Sequence, residues 1–244
     1  MIDLLAGEWL KLRSTRLLWG MIPATVALSF AAVAGAVLAA DSAAELESAD
    51  GIRRVLSVTG TGAILVLVVG ILISAGEYRH GTAADTFLTT PRRHRVLAAK
   101  LTVGAGVGLA AGVITSVACV GIADVLYGLD DATFPFGDAE VWLTVAGTLA
   151  YTTLFAVLGV ALGSLVRNQV LAVAVALAWF AVVEHTLVTL VPDLGRWLPA
   201  AAGQAIVRTP LDDLLSPLAG AAVLTAYSAT VALAGIRFAA TRDA

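Results

Sequence analysis

Cysteine is nearly absent. Cys119 is the only one in 244 residues, which excludes an intrachain disulfide and a cysteine-based metal cluster. Histidine is scarce as well: His80, His94 and His185 are scattered along the chain, with no spacing that makes one metal site. Charged residues are only 14% of the total, and the net charge of -3 does not suggest a nucleic-acid partner. Also missing are H-E-x-x-H, G-x-S-x-G and the phosphate loop G-x-x-x-x-G-K-[ST]. The chain has no recognisable hydrolase centre, no metal site and no nucleotide site of that type, and it shows neither an internal repeat nor a low-complexity linker.

What is present is apolar length: 59% of the residues are hydrophobic. A hydrocarbon core of about 30 Å takes roughly 20 helical residues, because a backbone in lipid must satisfy its own polar groups. Runs that meet this length fall at about 17–40, 55–76, 101–123, 141–166, 168–191 and 214–236. They predict an all-α membrane protein with six transmembrane helices. The first run follows about sixteen polar and amphipathic residues and exceeds the ~7 to 15 apolar residues of a signal-peptide core, so it reads as a retained span. Lys and Arg near span ends resist translocation. With the N-terminus inside, 11 of the 15 basic residues fall in inner segments, while acids such as Asp41, Glu45, Glu47, Asp130, Asp138 and Glu140 fall outside. The prediction is a multi-pass protein of the cell membrane with both termini cytoplasmic.

Ahead of the first span, Ile2, Leu5, Trp9 and Leu12 recur at spacings of three and four, with Asp3, Glu8, Lys11 and Arg13 elsewhere around the helix. The pattern predicts an amphipathic helix over 1–16 lying on the inner membrane surface. The third span carries Gly104, Gly108 and Gly112, and the fourth Gly159 and Gly163, each a small-residue stripe for close helix packing, within the chain or between two chains. Residues 192–213 hold an apolar stretch too short to cross and interrupted by prolines, which fits an outer re-entrant hairpin before the last span or an interfacial helix.

The longest inner loop, 77–100, is built for more than connection. Gly81 can break the second span, Thr82 with Asp85 resembles a capping box, and Pro91 ends a short helix near Thr90 and begins the next one. Phe87 and Leu88 on that helix, followed by Arg92, Arg93 and Arg95, present an apolar knob with a basic collar. The same arginines also serve as a topology signal. Gly76-Glu77-Tyr78-Arg79-His80-Gly81-Thr82, then Thr90-Pro91-Arg92-Arg93, then Ala99-Lys100-Leu101, resembles the loop between the second and third spans in permeases of the type-2 ABC exporter family. The N-terminal amphipathic helix, the six spans and the outer hairpin agree with that resemblance over nearly the whole chain. It implies a cytoplasmic coupling helix that docks on a separate ABC ATPase subunit, with Glu77, Arg79, Gly81, Thr82 and Pro91 to Arg93 at the interface. It also implies ATP and Mg²⁺ on that partner, no cofactor on this chain, and a second permease subunit, as a homodimer.

Glu184 and His185 lie within the fifth apolar run. An ionisable group in a span is costly unless paired, hydrated or neutral. Either the two are a polar element of a substrate path, or Glu184 is protonated or hydrogen-bonded to a neighbouring helix near the outer interface. The expected function is the permease of an ATP-driven exporter for an amphipathic drug, antibiotic or lipid. The rivals are an ion-coupled secondary transporter using Glu184 and His185 as a proton relay, and a non-transporting immunity or sensor protein.

Overall fold

The computed structural model describes residues 2–79, 93–166 and 168–241. Helices account for nearly all of them: α1 Ile2–Ser14, α2 Leu17–Leu38, α3 Ala43–Leu46, α4 Ala49–Ser57, α5 Ala63–Arg79, α6 Arg93–Leu129, α7 Ala139–Leu165, α8 Gln169–Ala178, α9 Glu184–Leu190, α10 Pro192–Gly195, α11 Pro199–Ile206 and α12 Pro217–Thr241. Six stretches among the described residues are long and apolar enough to cross a membrane. Large apolar side chains such as Leu28, Val117, Leu171, Val175 and Leu233 are exposed on them, as in a bundle whose solvent is lipid.

The second span is interrupted. A 3₁₀ turn, Val58–Gly62, joins α4 to α5, in a stretch rich in glycine and threonine, which hold a helix weakly. The neighbouring spans make good the backbone groups this frees. Ser29 Oγ donates to the carbonyl of Thr59 at 2.8 Å and accepts from the N–H of Gly62 at 3.1 Å, while the hydroxyls of Thr59 and Thr148 meet at 2.7 Å. Irregular backbone at membrane depth is tolerated where it is buried and re-bonded in this way.

Helix α7 is the centre of the bundle and packs on α5, α6 and α12. Glycine permits the closest approaches. A β-carbon on Gly159 or Gly163 would overlap backbone of Leu67 or Ile71 in α5, and one on Gly108 would lie 2.7 Å from both Ala156 Cβ and Thr152 O. Both small-residue stripes therefore pack within the chain, on α5 and α6 against α7, and this resolves the choice that spacing left open.

Helix α6 begins at Arg93, two turns ahead of its apolar part, and at 37 residues is about 55 Å long, well beyond a bilayer core. At one end of the bundle Leu5 and Leu12 of α1 share an apolar cluster with Val69, Leu97 and Ile236, so α1 and the close of α12 lie together. This is the terminal end. At the far end, Ser42 and Ser48 cap α3 and α4, Asp138 caps α7, and the Tyr127 hydroxyl donates to Leu46 O at 3.0 Å.

Candidate functional site

Four charges converge at the terminal end. Lys100 Nζ donates to Glu8 Oε2 at 2.6 Å and lies 2.9 Å from Glu77 Oε1. Lys11 Nζ donates to Glu8 Oε1 at 2.8 Å and to Glu77 Oε1 at 2.7 Å. Each lysine thus bridges the same two carboxylates, but from opposite sides: the Lys100 side chain is 6% exposed and that of Lys11 is 47% exposed. Partial burial disfavours the charge on Lys11, and the hydrogen bonds to Glu77 and Glu8 outweigh it, so its pKa is raised above 10.5.

The helices place these groups by simple register. Glu8 and Lys11 are three apart on α1 and Leu12 completes the same face. Glu77 lies in the last turn of α5 and Lys100 two turns into α6. The apolar pattern sets Glu8 apart from Leu5, Trp9 and Leu12, yet Glu8 is buried beside Leu12 while Trp9 is 51% exposed and Leu5 half-buried. The reason is a partner 92 positions away, since a buried carboxylate is tolerable once Lys100 neutralises it. Ile2 opens α1.

Of the positions assigned to the 77–100 segment, Glu77 is in this cluster, Arg79 closes α5 and Arg93 opens α6. Gly81, Thr82, Asp85, Phe87, Leu88, Pro91 and Arg92 lie outside the described residues. The flanks of the segment are nonetheless joined, because the Glu77 and Lys100 ion pair ties the end of α5 to the start of α6 and both to α1.

Glu184 and His185 are neighbours in sequence but lie in different surroundings. Trp179–Val183 form a π turn between α8 and α9, a wider turn that re-aims the residues after it. Glu184 follows directly and is 1% exposed, whereas His185 is exposed. Glu184 Oε1 accepts from the N–H groups of Ala200, at 2.5 Å, and Ala201, at 3.1 Å. These belong to the first turn of α11, whose cap Leu198 supplies no side-chain bond and whose first residue, Pro199, has no N–H. Glu184 caps that helix from sixteen residues away, satisfying donors left open at a helix start. The structure thus brings the carboxylate to a neighbouring helix.

Sequence reasoning missed one more cluster, at the far end. The Glu140 carboxylate accepts from Arg53 Nε and Arg208 Nη2, each at 3.1 Å, and so ties α4 and the segment after α11 to the start of α7. Its charges were visible, but nothing in their spacing paired them. Among the described residues no group of three or more His, Cys, Asp and Glu side chains is placed to hold a metal ion.

No curated protein matches the chain. A family model described as ABC-2 family transporter protein matches residues 4–183, a stretch that takes in α1, the four-charge cluster, the first four spans and most of the fifth. That match covers well over half of the 244 residues, and the chain belongs to the ABC-2 family as a membrane-spanning transporter subunit.

Proposed function

We propose that this protein is the permease of an ATP-driven exporter, with its terminal end in the cytoplasm and its far end outside. Separate ABC ATPase subunits carry the nucleotide and Mg²⁺ and dock on the 77–100 segment, with Gly81 to Arg93 as the contact region. A second permease subunit, as a homodimer, completes the translocation path. The family match supports the transporter class, and the bias of Lys and Arg towards the terminal end supports the orientation.

The observation that carries the reading is the four-charge cluster. It clasps both flanks of the docking segment to α1. When the ATPases close on ATP, a push on 82–90 passes through Glu77 into α5, through Lys100 into α6, and from both into α7, which packs on them. At the outside, α10 and α11 form the re-entrant element before the last span, pinned to the fifth span by Glu184. The cargo is amphipathic, such as a hydrophobic drug, an antibiotic or a lipid, in keeping with a mainly apolar bundle. The exposure of His185 beside a buried Glu184 speaks against a proton relay by that pair, and so against an ion-coupled carrier.

The test is co-purification in nanodiscs with the candidate ATPase, comparing the native chain with the double reversal Arg92→Glu, Arg93→Glu. Stable binding that stimulates ATP hydrolysis and is lost on reversal supports the reading. Cargo or proton movement by the chain alone, with no ATPase bound, overturns it.

A further inference from the structure

A cavity of about 360 Å³ opens beside the four-charge cluster at the terminal end. Glu8, Lys11 and Glu77 form one wall, and Leu12, Leu72 and Ile73 form another. Its volume is at the lower end of small-molecule sites, enough for a headgroup and its first methylenes. An apolar wall facing a charged one selects an amphiphile, and the cluster decides the sign of its charge.

The two lysines are not equivalent. Lys100 holds both carboxylates from the inside and cannot leave without stranding two buried anions. Lys11 reaches the same carboxylates from the cavity side and is half exposed. Its ammonium stays hydrated at the surface if it swings out on its flexible stem. Among the described side chains that leaves two carboxylates against Lys100, an excess of negative charge that favours a cation in the cavity. The Lys11 nitrogen sits 2.7 to 2.8 Å from the two carboxylates, spacing that an N–H donor reaches and a methylated ammonium, which has no N–H, does not.

We propose that this cavity binds an amphiphile through a primary ammonium that takes the place of the Lys11 ammonium between Glu8 and Glu77, with the apolar chain against Leu12, Leu72 and Ile73. The inference takes from the permease reading only the orientation, which puts the cavity at the inner leaflet, and a class of cargo. The same chemistry is offered by the headgroup of an aminophospholipid and by a cationic amphiphilic cargo.

The chain alone, without ATPase or ATP, is placed in phosphatidylcholine nanodiscs and titrated with dodecylamine or dodecanol while its thermal unfolding midpoint is followed. Two variants decide the site. Gly76 lines the cavity, and a β-carbon there meets nothing within 4 Å, so Gly76→Leu is the variant chosen to narrow the space. Lys11→Met removes the competing cation. A saturable rise with the amine and none with the alcohol is expected, with half-saturation weakened about tenfold in Gly76→Leu and tightened about tenfold in Lys11→Met. Equal responses to amine in the native chain and both variants, or a matching response to dodecanol, overturn the proposal. If Gly76→Leu does not fold, the Lys11→Met arm decides alone. Native mass spectrometry from mixed nanodiscs then assigns the occupant: phosphatidylethanolamine retained over phosphatidylcholine marks a lipid, and an amine response without that retention marks a cargo. Absence of amine binding leaves ATPase docking untouched, and failure of ATPase docking leaves amine binding untouched.

Discussion

Lys100 and Glu8 form a 2.6 Å ion pair across 92 positions of sequence, with both side chains 6% exposed. The pair docks α1 on α6, and Glu77 and Lys11 extend it into a cluster of two acids and two bases. Removing one partner of a buried pair strands the other, at a cost of about 3–5 kcal/mol, whereas removing both costs less. Lys100→Met is therefore expected to destabilise the chain more than the double substitution Glu8→Gln, Lys100→Met does. A double-mutant cycle on denaturant unfolding in mixed micelles measures this, and a coupling energy near zero would show that the pair is incidental.

The glycines divide into two kinds, and their substitutions are expected to part accordingly. Gly159 lies against Leu67 backbone and Gly70 against Ala156 backbone, so that either changed to Val forces α5 and α7 apart. Gly106 and Gly121 on α6 have nothing within 4 Å of a β-carbon. Alanine at these two positions is expected to be neutral or to stabilise by up to about 1 kcal/mol through helix propensity. The yield of monodisperse protein and its unfolding midpoint separate the two groups. Equal tolerance would mean that α7 is not packed on α5 as described.

The spans were legible because about 20 apolar residues in a row have few other uses. Hydropathy alone missed the first two turns of α6, because Arg93, Arg95 and Lys100 interrupt the apolar pattern and hydropathy reports the lipid-facing part of a helix; the sign of a helix start there was Pro91. The glycine stripes were visible without the faces they meet. Glu8 was misplaced for a related reason: its neighbours on α1 define an apolar face, but whether a carboxylate may share that face depends on Lys100, which no local pattern connects to it. Glu184 stood out as an ionisable group in a span, with bonding to another helix already among its readings, yet its donors are backbone N–H groups, which any residue type provides.

The raised pKa of Lys11 sets a direction for alkaline pH. A lysine whose pKa is higher folded than unfolded contributes stability fully below the unfolded value, and that contribution is lost as pH rises through the folded one. The attachment of α1 through Lys11 is thus expected to be intact up to pH 10.5 and to weaken above it. Lys11→Met removes this alkaline step. Hydrogen exchange or proteolysis within α1, followed against pH in the two proteins, checks it, and a step of equal size in both assigns the change to other groups.

Glu184 tests whether its carboxylate serves structure or transport. Glutamine in its place keeps a carbonyl oxygen that can accept from Ala200 and Ala201, while leucine leaves both N–H groups buried and unpaired, at a cost of about 1–3 kcal/mol each. Glu184→Gln is expected to fold with nearly native stability, and Glu184→Leu to be destabilised, with faster amide exchange at the start of α11. Transport by Glu184→Gln at the native rate then makes the group a helix cap alone. Loss of transport at unchanged stability assigns the carboxylate's charge, its proton or its second oxygen to the path, because glutamine keeps the shape and the capping oxygen but cannot ionise.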